Sequence, residues 1–280
     1  MNNNRWMSTT AGIDLLTLSQ LVLPGAHNSG VDKKATYSAP GIAHWVACQN
    51  NSFYEQLQNG ARVLDARIEY ERDSRGVGTF WFQHNGYRSS RSLENLVMQV
   101  RRFLQENPDE FIVLDFHDLK QPFDYKEFNR FMLTHLGDQM IPVRNQYLSL
   151  GELKQQSRVQ RVWVAAFQHP QLDQNRFMVR IKHEWSGITD ASAEEVQAHI
   201  TQVMNSPPSS YSPWSLSATS YSNIGGPVDI KEYLNRWFDP AKKDWVYNCN
   251  IINVDFIEES NLVKYCSEAN FRNARRLIDK

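Results

Sequence analysis

The chain has 280 residues, 41% of them hydrophobic and 22% charged, with a formal net charge of -1. That balance excludes a disordered chain and gives no electrostatic case for nucleic acid as a partner. No apolar run reaches the ~18 residues needed to cross a bilayer. The cysteines Cys48, Cys249 and Cys266 are scattered without a CxxC pair, so they read as reduced, buried, apolar residues.

Short apolar runs alternate with helical patterns along the chain, which predicts βα units. The predicted strands are Gln20–Leu23, Arg62–Tyr70, Thr79–His84, Phe111–His117, Arg161–Phe167, Phe177–Ile181, Ser215–Thr219 and Asn250–Phe256. About eight such strands is the number that closes an α/β barrel, here a single TIM-like domain over 1–280. Leu93, Leu96, Val97, Val100, Phe103 and Leu104 share one helical face, and Asn107-Pro108 ends that helix. Ser192 and Glu195 form a capping box opening a helix that buries Val196, Ile200 and Val203. Ile230, Leu234 and Trp237 mark another helix. Two long irregular stretches, Val31–Gln49 and Asn205–Trp214, are expected to roof the active-site end.

Arg62–Tyr70 carries the strongest chemical signal. Its alternation puts Val63, Asp65, Arg67 and Glu69 on one face, and Leu64, Ala66, Ile68 and Tyr70 on the other. The apolar set suits the surrounding helices, so the charged set faces the barrel interior. Charges buried there must pair with each other or with a ligand. A second charged face, Val113, Asp115 and His117, alternates with Leu114, Phe116 and Asp118. An aromatic strand delivers His84 just before Asn85-Gly86. Ahead of these, an apolar run enters a glycine-bracketed turn, Leu23-Pro24-Gly25-Ala26-His27-Asn28-Ser29-Gly30.

In this order, Pro24-Gly25-Ala26-His27-Asn28-Ser29, Leu64-Asp65-Ala66-Arg67, His84 before Gly86, and Asn107-Pro108-Asp109-Glu110-Phe111-Ile112-Val113-Leu114 resemble the X domain of phosphatidylinositol-specific phospholipase C. Trp6-Met7-Ser8 and the Gln49-to-Leu57 segment are similar to bacterial and X-domain-only members. The resemblance covers Trp6 to about Asp118, and more weakly Ile251–Tyr265. It implies a distorted βα barrel and a two-histidine phosphodiesterase. His27 would be the base acting on the inositol 2-hydroxyl, and His84 the acid protonating the diacylglycerol oxygen. Two imidazoles suit this because their ordinary pKa lies near neutrality. Arg67 stands where metal-dependent relatives bind calcium, and would hold phosphoryl oxygens with its fork. Asp255 would orient His27.

The chain departs from the family at two points. Asn28 follows the base histidine where secreted relatives carry Asp, and Asn85 separates His84 from its glycine. Asp65, Glu69, Asp115 and His117 are expected to contact substrate, Asp65 and Glu69 also as the partners of Arg67. The leading expectation is therefore a phospholipase without cofactor or metal, a monomer peripheral at a phospholipid membrane. The N-terminus lacks a signal-peptide layout, so either the chain is a mature form or it is made without one; secretion or export by a signal-peptide-independent route is the favoured expectation. Two alternatives stay open: a metal-dependent glycerophosphodiester phosphodiesterase-like enzyme with Mg²⁺ or Ca²⁺ on Asp65 and Glu69, and a catalytically inactive lipid-binding module.

Overall fold

A computed structural model describes residues 2–279. Its strands are β1 (Leu23–Ala26), β2 (Val63–Arg72), β3 (Gly78–His84), β4 (Tyr87–Ser92), β5 (Ile112–Lys120), β6 (Val162–Ala166), β7 (Phe177–Val179), β8 (Lys182–Glu184), β9 (Trp214–Ser217), β10 (Ser220–Ser222), β11 (Gly226–Val228) and β12 (Ile251–Val254). Eight of them form one curled sheet in the order β7-β6-β5-β2-β1-β12-β9-β8, with parallel neighbours throughout. Only Arg180 and Ile181 separate β7 from β8. One extended segment therefore pairs with β6 through its first half and with β9 through its second, drawing the two edges of the sheet together. The fold is a distorted βα barrel.

The expected count of eight holds with a change of membership. The run ending in His84 is not a barrel strand: β3 pairs antiparallel with the upper half of β2 and with β4, off the main path. β8, which the sequence reading ended too early to include, takes its place. The first strand begins at Leu23, because Leu18–Gln20 is a 3-10 turn capped by Thr17.

Alternation divides the strand residues between two apolar layers. Leu64, Leu114, Val164 and Ile252 pack outward against the helices. Leu23, Val63, Val113, Trp163 and Ile251 point inward, where Trp6, Ile13 and Leu16 of the N-terminal segment complete the plug at the bottom of the barrel. The helix α1 (Leu93–Glu106) buries the six residues expected of it, and Ser92 and Asn95 cap it reciprocally. The helix α2 (Ala193–Asn205) opens with the expected Ser192–Glu195 capping box.

Of the two long loops, Val31–Gln49 does cover the strand C-termini. Asn205–Trp214 does not: it leads into the start of β9, so it lies at the opposite, N-terminal end. The second part of the roof is instead the β10–β11 hairpin that follows β9. Trp45 Nε1 donates to the Ile224 carbonyl at 2.7 Å, and Tyr221 Oη to the Trp45 carbonyl at 3.0 Å, locking hairpin and loop together.

Gly25 shows how tightly the interior is filled above the plug. A Cβ there would lie 2.1 Å from Asn253 Oδ1, in the neighbouring strand β12. Gly25→Ala is expected to cost about 1–3 kcal/mol through overpacking. Chemical denaturation of Gly25→Ala, Asn253→Ala and the double variant should show a coupling of at least ~1 kcal/mol; strict additivity would count against this contact.

Candidate active site

Above the apolar plug the barrel interior turns polar. Asp65 on β2 and Asp115 on β5 stand at the same register position of adjacent parallel strands, both fully buried. Each carboxylate has its own partner. Asp65 accepts from Arg67 Nη2 at 3.0 Å and from the Asn28 backbone N–H at 3.1 Å. Asp115 Oδ2 lies 2.6 Å from His183 Nε2. Burial alone would raise the Asp65 pKa, but the Arg67 charge and nearby imidazoles hold it far below the usual carboxylate range.

Between Ala66 and Arg67 the register with β5 slips by one residue, so Ala66 faces Phe116 while Arg67 faces Asp118. His117 is the extra residue of this bulge, and bulges re-aim side chains. Its ring stacks on His183 with centroids 3.8 Å apart and planes 17° apart. The bulge also takes Asp118 off the outward apolar face predicted for it: exposed, it accepts from Gln83 Nε2 at 3.0 Å. Glu69 corrects the sequence reading. It does not share Arg67, because Lys120 stands opposite it in β5 and pairs with it. The Asp65–Glu69 metal pair of the first alternative is thus not assembled.

His27 follows β1, and its backbone N–H donates to the Val254 carbonyl, extending the β1–β12 ladder. Gln49 spans both strand ends from above, donating to the carbonyls of His27 at 2.9 Å and Val254 at 3.0 Å. His27 Nδ1 is 2.8 Å from Asp255 Oδ1, the expected pairing. Its Nε2 is 2.7 Å from Arg67 Nη2. A guanidinium offers only N–H groups, so Nε2 accepts and the ring proton sits on Nδ1, donated to Asp255. Asn28, at φ 42°, turns the chain beside it, a conformation asparagine tolerates. Its side chain is fully buried and neither polar atom has a partner.

His84 ends β3 at a two-residue turn in which Asn85 and Gly86 both have positive φ (51° and 84°). Asn-Gly is the sequence that such a hairpin prefers, so the extra Asn85 belongs to the turn and leaves His84 in place. His84 Nδ1 donates to the Val46 carbonyl at 2.9 Å, which leaves Nε2 as the free nitrogen. The two catalytic candidates are neighbours: the rings of His27 and His84 stand perpendicular, 6.5 Å apart at 87°. Tyr221 packs edge-on to His84 at 6.1 Å, and Cys48 Sγ lies 3.8 Å from His84 Nδ1. Arg91 and buried Asp32 form a two-pronged ion pair at 2.7 and 2.9 Å, fastening the loop that carries Val46 to β4.

The structure thus brings His27, Asn28, Asp65, Arg67, His84, Asp115, His117 and Asp255 together at the C-terminal end of the barrel strands, and leaves Glu69 at the margin of this group. His183, Gln49 and Tyr221 were missed as contributors. His183 had a signal: it lies two residues beyond the buried Ile181, and period-two spacing carried past the predicted strand end puts both on the inward face.

No protein-family model matches the chain. In sequence it is 28% identical over 156 residues to the variant-surface-glycoprotein phospholipase C of Trypanosoma cruzi, covering 46% of this chain and 40% of that protein. It is 30% identical over 135 residues to human PI-PLC X domain-containing protein 2, covering 41% and 43% respectively. The chain therefore matches less than half the length of these curated relatives. Among solved structures, the phosphatidylinositol-specific phospholipase C of Listeria monocytogenes superimposes with a TM-score of 0.74 at 16% identity, covering 96% of this chain and 99% of that one. The chain has the fold of phosphatidylinositol-specific phospholipase C. The Staphylococcus aureus enzyme, studied for its membrane binding, gives a TM-score of 0.67 at 13% identity, over 94% of this chain and 97% of that one. The resemblance carried by the sequence motifs holds in sequence and in fold.

Burial is the largest influence on His84 and lowers its pKa from 6.5 to about 4, against the opposing pull of the Val46 carbonyl. Unfolded, the same side chain titrates near 6.5. As pH falls from about 6.5 to about 4, the unfolded chain takes up a proton that the folded one refuses. His84 thus contributes stability that is complete above pH 6.5 and lost through that window, on the order of 3 kcal/mol. Denaturant titrations at several pH values should show a shallower decline for His84→Gln; an identical slope would contradict the burial of an uncharged imidazole.

Proposed function

We propose that the chain is a metal-independent phosphodiesterase that cleaves phosphatidylinositol-type phospholipids by two-histidine acid–base catalysis. The observation that carries this reading is the pair of neighbouring imidazoles, His27 and His84, 6.5 Å apart, with the Arg67 guanidinium against one of them. The inositol 2-hydroxyl oxygen attacks phosphorus while its proton passes to His27 Nε2. Asp255 stabilises the resulting imidazolium through Nδ1. The bond from phosphorus to the diacylglycerol oxygen breaks, and that oxygen takes the proton carried by His84 Nε2. The products are diacylglycerol and a cyclic inositol phosphate.

In the free protein Arg67 occupies the lone pair that the base needs. Substrate must draw the guanidinium from His27 onto the phosphoryl oxygens, where its fork matches their geometry. The same motion frees Nε2 for the hydroxyl. Binding of the anion and activation of the base are thus one event.

Purified protein should release cyclic inositol phosphate from phosphatidylinositol, leave phosphatidylcholine largely uncleaved, and retain activity in excess EDTA. His27→Ala and His84→Ala should each cost ~10²–10⁴-fold in turnover, and Arg67→Lys should be severely impaired because lysine lacks the fork. Loss of activity in EDTA with recovery on added Ca²⁺ or Mg²⁺ would favour the metal-dependent alternative. Lipid binding without hydrolysis would favour the inactive module.

Peripheral membrane docking belongs to the same reading. Phe167, Trp185 and Ile188 follow the C-terminal ends of β6 and β8, and Ile224 tips the β10–β11 hairpin; Trp185 is 53% and Ile224 87% exposed. Apolar side chains standing free around a pocket mouth suit a lipid surface. No helix among the described residues is long and apolar enough to cross a membrane. Combined Trp185→Asp and Ile224→Asp should weaken vesicle binding about tenfold or more, measured by sedimentation with phosphatidylinositol-containing vesicles. Unaltered binding would remove the rim from the docking face.

A further inference from the structure

We propose that Asp115, His117 and His183 form a binding site for one borderline first-row divalent cation, Zn²⁺ by preference, at the floor of the pocket. Metal binding is independent of the phosphodiesterase reading. The three side chains offer ligand atoms that all lie within 4.8 Å of one another. Two imidazole nitrogens and a carboxylate oxygen form the donor set of three-ligand zinc sites that keep a fourth position open. Ca²⁺ and Mg²⁺ prefer all-oxygen shells, so this set selects against them.

One feature of the cluster is unexplained by packing alone. Asp115 is fully buried, and while Oδ2 meets His183, its Oδ1 has no partner; such an unpaired acceptor is destabilising. The bulge in β5 brings His117 to the cluster, and the segment joining the sheet's edges brings His183. The two rings stack almost parallel at 3.8 Å, so one of them must turn about its Cβ–Cγ bond for both in-plane lone pairs to reach one ion. A cation bound here would give Asp115 the second partner it lacks. In the free protein a proton holds Asp115 to His183; the cation would replace that proton and part the two groups slightly.

Arg67, the nearby fixed positive charge, is committed to Asp65 at 3.0 Å, which leaves Asp115 as the carboxylate that meets the two imidazoles. The other candidate grouping, His27, Cys48 and Asp255, is a poor competitor: burial and the Asp255 charge raise the Cys48 pKa, keeping the thiol protonated, and only the thiolate binds metal. Occupied, the site would block the floor against a headgroup, so the metal would inhibit hydrolysis; this consequence alone rests on the proposed function.

The test uses the full chain stripped of metal, titrated with Zn²⁺ by calorimetry and with Co²⁺ by visible absorption. About one Zn²⁺ per chain with a Kd of ~10 µM or tighter is expected, together with weak Co²⁺ ligand-field bands and no thiolate charge-transfer band. His183→Gln and His117→Gln should each weaken binding at least ~100-fold, with circular dichroism reporting the fold, while Cys48→Ala should bind like the parent. Absence of binding, binding that survives the double glutamine variant, or a thiolate band would each overturn the proposal. Should the protein hydrolyse no lipid at all, the phosphodiesterase reading fails while these binding readouts stand.

Discussion

Two carboxylates side by side inside the barrel set the terms for everything around them. Asp65 and Asp115 share a register position on adjacent parallel strands and are both fully buried, and a carboxylate buried without a partner is costly. Neither can be solvated, so each needs a cation or a donor within reach. Arg67 answers Asp65 from two residues further along the same strand face. His183 answers Asp115 from across the barrel, and can do so only because the β7–β8 segment carries the chain from one edge of the sheet to the other. The curl of the sheet and the polarity of the pocket are therefore the same requirement seen at two scales.

Arg67 links that requirement to chemistry. Its Nη2 contacts both Asp65 and His27 Nε2, so the group that neutralises the buried carboxylate also guards the base. His27 is fixed from three other directions: the β1–β12 ladder below, Asp255 at the side, and Gln49 above. His84 is held by different means, a hairpin turn and one loop carbonyl, neither part of the barrel ring. The base thus belongs to the rigid sheet and the acid to a hairpin that rests on the roof loop, which the Arg91–Asp32 pair holds down.

Much of this was legible in the sequence because strand alternation is a local property. Val63, Asp65 and Arg67 point inward as their spacing requires, and His27, Asn28 and Asp255 meet because the first and last strands are neighbours. The errors arose where long-range pairing decides the outcome. Glu69 lies on the same face by alternation, yet Lys120 claims it, and nothing in Arg62–Tyr70 indicates which β5 residue stands opposite. The bulge at His117 is invisible to a period-two reading, so Asp118 was placed on the wrong face. Val31–Gln49 and Asn205–Trp214 look alike as loops, and only their order relative to the strands separates roof from base. His84 reached its expected place by an unexpected route, through an antiparallel hairpin.

On the proposed reading, the low pKa of His84 has a use. A general acid must arrive at the transition state protonated, yet this imidazole is held uncharged in the free protein, with its pKa pushed down to about 4. Bringing it to neutrality demands a rise of about three units, or roughly 4 kcal/mol. A single negative charge about 4 Å away supplies roughly that much at an effective dielectric near 20. A phosphodiester anion lodged between His27 and His84 is such a charge, and it also draws Arg67 off the base. The substrate's own charge would then load the acid and release the base together, with proton uptake accompanying binding. A neutral ester of the same shape would do neither, which ties selectivity for phosphodiesters to the burial of His84 beneath Val46 and Tyr221 as much as to the arginine that grips them.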